Sequence, residues 1–202
     1  MAFPARMKMQ AILQSREPSV LRSISGAGIA ATIWQRNPLP AFTDWINALS
    51  PDQLPRLRTL VRVGAVEPSV HAACDLAGTP NGPDRDMLAS DIAALAVILA
   101  GIIEAPLLQL RLDVVSPDAC RSFRIDNNTS ARLLCSYRGT GTQLVTPGQG
   151  HAPTDVTTGS VALLRGRLWP GDEETALLHR LSLAGVRDET RLLAMIDPAT
   201  PG

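Results

Sequence analysis

The feature that most constrains this chain is a change of hydrophobic period at Leu107. Before it, between Asp84 and Glu104, Met87, Leu88, Ile92, Leu95, Leu99, Ile102 and Ile103 recur at helical spacing and form a broad apolar stripe. After it, Leu108, Leu110, Leu112 and Val114 alternate with Gln109, Arg111 and Asp113, the period of a half-buried strand. A stripe of that breadth packs on a sheet or on other helices. The chain therefore has to join a helical part to a β part across a single seam.

Upstream of the seam the pattern is mostly helical. Pro40 opens a helix that places Phe42, Trp45, Ile46 and Leu49 on one face. Ser50-Pro51-Asp52-Gln53 has capping-box form and predicts a second helix carrying Leu54, Leu57, Leu60 and Val61, with Pro55 as its weak point. A third starts near Ser69 and runs to Ala77, and Gly78 to Pro83 is dense turn punctuation. Downstream, short strands are expected at Ser122 to Asp126, Ala131 to Tyr137, Ser160 to Arg165, Ala176 to Leu181 and Thr190 to Asp197. Gly139 to Pro153 reads as the main long loop. The expected fold is α+β: an N-terminal tail over 1–27, a helical portion over 28–106, and a cupin-like jelly roll, a double-stranded β-helix, over 107–202. Residues 28–202 are expected to form one compact unit.

Composition narrows the function classes. The chain has 202 residues, 45% hydrophobic and 19% charged, which excludes wholesale disorder. Nineteen basic and nineteen acidic residues cancel, so no nucleic-acid footprint is expected. The greasy run Ile92 to Ile103 falls short of the roughly twenty residues of a bilayer span, and no membrane partner is expected. Cys74, Cys120 and Cys135 form no C-x-x-C pair, which points to a reducing, cytoplasmic setting.

The chemistry-bearing stretch begins at Cys120-Arg-Ser-Phe-Arg-Ile-Asp126 and continues through Ala131-Arg-Leu-Leu-Cys-Ser-Tyr-Arg-Gly-Thr-Gly-Thr142. Gly159 to Gly166, Trp169, His179-Arg180 and Arg191 to Asp197 follow. With Ile33-Trp-Gln-Arg36 upstream, this series resembles a bacterial family catalogued as domain of unknown function 1826. The resemblance covers most of the chain from about Gly28, and its most specific piece is Tyr137 to Thr142. The family pattern has C-x-x-F-H-x-D where this chain has Arg124 in place of the histidine.

That pattern is similar to the facial triad of non-haem Fe(II) oxygenases that use 2-oxoglutarate. Residues at i and i+2 on a strand point to one face, and a distant histidine completes three ligands with open positions left over. His179 follows Asp126 by 53 residues, and Arg191 lies 12 further on, where such enzymes often anchor the co-substrate's far carboxylate. The resemblance implies Asp126 and His179 as metal ligands, Fe(II) and 2-oxoglutarate as cofactors and Arg191 as the co-substrate anchor. From the residues themselves, Arg132 is expected to bind cofactor as well, Arg124 to act catalytically on substrate or co-substrate, and Tyr137 to orient a ligand as a second catalytic group.

Arg124 breaks the pattern, because a guanidinium offers a metal no lone pair. Three readings stay open. The site is lost or rebuilt, with Arg124 paired to Asp126 or holding an anionic ligand; His151 on the long loop supplies a replacement ligand; or Asp126 and His179 suffice with substrate. Plain alternatives stand beside each residue: a hydrogen-bonded structural His179, a turn at Asp126-Asn127-Asn128, a solvated His151, a packed Tyr137, and surface pairing for Arg132 or Arg138. The expected function is a non-haem Fe(II) oxygenase-like enzyme acting on a small molecule. The alternative is a metal-free small-molecule or anion-binding protein on the same scaffold. A role in metal homeostasis is a third reading, for which three histidines and no cysteine pair equip the chain poorly.

Overall fold

Pro83 occupies the first turn of the longest helix, where its missing N–H costs nothing, and Asp84 and Asp86 lie against the positive end. In the computed structural model, which describes residues 8–9, 11–115, 122–147, 152–181 and 189–199, this helix runs Pro83–Ile103 and is labelled α3. Before it come α1 (Pro40–Ala48) and α2 (Val66–Ala77), which ends on Gly78 at φ 67°, a left-handed position that suits glycine. By length and composition α3 passes as a bilayer span, since the apolar stretch begins well before Ile92. Here it is a core helix. Leu88, Ala89, Ile92, Leu95, Ala96 and Leu99 are buried against a large sheet.

That sheet has seven strands in the order β2 (Ala11–Ser15), β3 (Ile29–Trp34), β9 (Val161–Arg165), β6 (Ala131–Arg138), β12 (Arg191–Pro198), β5 (Leu107–Val115) and β4 (Leu57–Arg62). A second sheet has β11 (Leu178–Leu181), β7 (Thr142–Val145) and β8 (Thr154–Val156) in that order. A single antiparallel bridge between Arg124 and His179 extends it. Elsewhere β1 (Lys8–Met9) pairs in parallel with β10 (Glu174–Thr175). Side-chain alternation gives the large sheet two apolar faces. Leu108, Leu110, Leu112, Leu133, Leu192, Ala194 and Ile196 pack with the helices. Leu134, Leu164, Leu193 and Met195 pack with Leu144, Val156 and Leu181 of the small sheet. The order of layers is helices, large sheet, small sheet.

Several expectations need correction: Gly139 to Pro153, read as a loop, holds β7, and the portion read as helical over 28–106 holds β3 and β4. The capping box at Ser50 and Gln53 is formed, but it closes one 3-10 turn, Pro51–Gln53, and the chain then enters β4. Pro55 has no N–H and disfavours helix at Leu54; the apolar positions that matter are Leu57 and Val61, on one face of a strand. Residues 11–25, read as part of a tail, form β2 and a 3-10 segment, Pro18–Ser25, whose Leu21 and Ile24 are fully buried. Finally, the strand expected over Ser122 to Asp126 is reduced to the one bridge at Arg124.

The Tyr137 to Thr142 run carries the chain from the large sheet to the small one. Gly139 has φ 78°, and a Cβ on Gly141 would lie 1.8 Å from the Val156 carbonyl oxygen. These glycines are steric requirements of the crossing. Gly141→Ala is expected to destabilise the chain by about 2 kcal/mol or more, whereas Gly101→Ala, on open helix surface, should stabilise it by up to ~1 kcal/mol. Urea denaturation of the two variants checks both signs, and equal midpoints would refute the close-approach argument.

Candidate functional site

Between the two sheets lies a cavity of about 370 Å³. Its floor is the small-sheet-facing side of β5, β6 and β12, which contributes Arg111, Asp113, Arg132, Leu134, Leu193 and Met195. Its roof and rim are Arg124, Asp126, Thr142, His179 and Arg180. The Arg124–His179 bridge has both backbone hydrogen bonds at 2.9 Å, so these two side chains share a face. Asp126, two residues on from Arg124, joins them: its Oδ2 is 3.4 Å from His179 Nδ1.

Asp126 is 8% exposed and held from below. Arg132 Nη1 donates to Asp126 Oδ1, while its Nε and Nη2 donate to the two oxygens of Asp197 at 2.8 and 2.7 Å. Arg111 Nη2 approaches the same Asp197 at 3.6 Å and Met195 Sδ at 3.4 Å. Two aspartates and two arginines thus form a charge-balanced quartet under the cavity. Among the described residues, Arg111 Nε and Thr142 Oγ1 on the wall are buried with no hydrogen-bond partner. At the rim, the Arg180 guanidinium lies 4.2 Å from the Phe123 ring centroid and its Nε donates to Gln143 at 3.0 Å.

The field of the site follows from burial and these charges. Burial lowers the His179 pKa below its ordinary value, and the positive charges of Arg132 and Arg124 push it further down against the pull of Asp126. Burial works against the Arg132 charge, yet the hydrogen bonds and charge of Asp197, with Asp126, outweigh it and raise its pKa. Arg111 is lowered, first by burial and then by Arg132.

The structure therefore brings together Arg124, Asp126, Arg132 and His179 of the sequence-predicted set. It does not bring Tyr137 to them. Tyr137 faces the helices, where its hydroxyl donates to Asp91 at 2.5 Å beside the Arg36–Asp91 pair, whose two bonds are 2.6 Å each. A separate cavity of about 130 Å³ adjoins that group. The thiol of Cys135 lies against Arg36, and burial pushes its pKa up to about 11. Arg191 is buried at the start of β12, packed by Gly139 and near Glu189, and is not among the described residues lining the inter-sheet cavity. Arg138 instead donates to the Leu49 and Ile46 carbonyls at the end of α1. His151 lies outside the described residues.

Sequence reading misses Arg111, Thr142 and Asp197. Arg111 carries a signal, since it sits at a polar phase of the alternating β5. Thr142 and Asp197 each end a stretch that carries the family resemblance, but no local pattern assigns them a role, because that depends on which strands become neighbours.

The described residues alone do not make an Fe(II) centre. Asp126 Oδ1 is occupied by Arg132, Arg124 stands where the pattern needs a ligand, and no group of three His, Cys, Asp or Glu side chains converges among the described residues.

Over residues 15–197 the sequence matches the family described as Protein of unknown function (DUF1826). This chain belongs to the DUF1826 family. No curated protein matches it. Among solved structures, the DUF1826 chain is similar to dioxygenase for auxin oxidation 1 of Arabidopsis thaliana in complex with 2-oxoglutarate. The TM-score is 0.54 at 12% identity, over 96% of this chain and 94% of that one. It also matches a Pseudomonas putida prolyl-4-hydroxylase, with TM-score 0.48 and 12% identity over 91% and 94% of the two chains. A third match is a full-length Neurospora crassa protein in complex with alpha-KG, with TM-score 0.48 and 13% identity over 93% and 83%. The likeness is one of fold: a mixed α/β chain with a large sheet, of the 2-oxoglutarate oxygenase kind.

Two outcomes are expected at this site in the DUF1826 chain. Arg132→Met leaves two buried carboxylates without their guanidinium and should cost about 3–5 kcal/mol in denaturant unfolding. With the folded His179 pKa below 6.5, the unfolded chain takes up a proton first as pH falls. Stability is thus unaffected above that value and is lost as pH drops towards the folded pKa. Urea midpoints at about pH 7.5 and 5.5 should show a smaller loss for His179→Gln than for the parent.

Proposed function

We propose that this chain binds a small organic anion in the inter-sheet cavity without a metal ion, on a double-stranded β-helix. The observation that carries the reading is the charge arrangement around Asp126. Arg132 already neutralises that carboxylate, while Arg111, Arg124 and Arg180 face the same cavity. A guanidinium in a partly dry site binds a carboxylate bidentately and more strongly than at a wet surface. Arg111 Nε and Thr142 Oγ1 would donate to the bound anion, which would give both buried atoms a partner. Arg124, exposed at the rim, would meet the ligand as it enters. The β-helix reading is supported by the way the chain from β5 to β12 repeatedly crosses between the two sheets.

The second reading is an Fe(II)- and 2-oxoglutarate-dependent oxygenase with an atypical centre. It is favoured by the fold likeness and by Asp126 and His179 standing 3.4 Å apart on one cavity face. It requires further ligands beyond those converging among the described residues.

Calorimetric titration with 2-oxoglutarate separates the two. The anion-binding reading expects the same affinity in excess chelator as with anaerobic Fe(II), weakened several-fold or more in Thr142→Val and Arg124→Gln. Binding that appears only with iron, and is lost in Asp126→Ala and His179→Ala, would overturn it in favour of the oxygenase. Absence of binding in either condition would refute 2-oxoglutarate as the anion.

A further inference from the structure

The floor of the cavity continues outward to β4, the edge strand beyond β5. In the antiparallel β4–β5 register Arg58 stands directly opposite Arg111. Side chains so placed share a face and lie within about 5.5 Å at Cβ, and like charges there repel. The Arg58 charge is one of the influences that lower the Arg111 pKa.

Arg111 shares its acid with Arg132 and has Asp113 nearby, and Arg58 adds a further positive charge beside it. Asp197, 3.6 Å from Arg111, already accepts two hydrogen bonds from Arg132, and Arg111 Nε is buried without a partner. Arg58 is exposed and makes no ion pair among the described residues. Beside the pair lies a surface groove of about 540 Å³, lined among the described residues by Arg56 and Arg58 with one acid, Asp113. Asp113 and Val115 line both the groove and the cavity, so the two adjoin along this stretch of β5. Charges on an edge strand commonly serve to block pairing with other chains, and Arg62 suits that role. Arg111, on an interior strand with a buried Nε, does not.

We infer that Arg58 and Arg111 form an oxyanion subsite at the junction of cavity and groove, bridged by the far acidic group of an elongated dianion. The inference rests on the anion-binding reading for its near group. A carboxylate or phosphate between two guanidiniums accepts from both and turns their repulsion into attraction. A ligand with two acid groups separated by a short chain reaches the cavity with one and this junction with the other.

The test uses the full chain, glutarate against pentanoate, and inorganic phosphate as the short probe. The parent should bind glutarate about tenfold or more tightly than pentanoate. Arg58→Gln should remove that preference while leaving pentanoate affinity unchanged, and Arg62→Gln, on the same strand face beyond the groove, should alter neither. A preference that survives Arg58→Gln, or falls equally in Arg62→Gln, would overturn the subsite and leave cavity binding standing. If neither organic acid binds, the cavity reading fails. Phosphate that then raises the melting temperature of the parent but not of Arg58→Gln would keep the junction site on its own, and phosphate acting equally on both would sink it as well.

Discussion

The two carboxylates held by Arg132 are the constraint on which the site depends. Asp197 comes from the last strand, Asp126 from the segment that borders the small sheet, and Arg132 from the strand between β9 and β12. A buried ion pair of this kind adds little net stability, because desolvation offsets most of the attraction. Its effect is positional. The guanidinium fork fixes Asp126 relative to the large sheet, and the backbone of Asp126 accepts from Arg167 N at 2.9 Å, tying the same residue to the turn after β9. His179 and Arg124 then take their places through the bridge above it.

The cavity also depends on a division of labour between the faces of the large sheet. The helix side is filled by aliphatic residues and by the Arg36–Asp91–Tyr137 group, which seals the join between α3 and β6. The other side has a smaller cover of three strands, so its polar residues face a space instead of a helix. Arginine is the cation that suits such a place, since it stays charged when partly dry and keeps its donors in a fixed fork.

Much of this is legible in the sequence, for identifiable reasons. The period change at Leu107 locates the seam between α3 and β5, and the i, i+2 spacing puts Arg124 and Asp126 on one face. β4 reads as helix because Leu54, Leu57, Leu60 and Val61 satisfy helical spacing, while Leu60 is in fact exposed and Pro55 breaks the helix. The strands near the N-terminus are short: β3 pairs with β9, more than a hundred residues away, and β2 pairs with β3. Tyr137 falls into the wrong group because it alternates in phase with Leu133 and Cys135, which face the helices, while Arg132 and Leu134 of the same strand face the cavity. No spacing rule reveals the surroundings of Arg191, which packs on Gly139 only because the crossing turn brings that glycine beside it.

The buried thiol of Cys135 has a practical corollary. With its pKa near 11 and Arg36 lying across it, the sulfur is protonated and out of reach of alkylating reagents while α3 stays on the sheet. Modification at Cys135 therefore times the separation of the helical layer from β6. The chain carries its own clock for the opening of one seam, on the face of the large sheet away from the inter-sheet cavity.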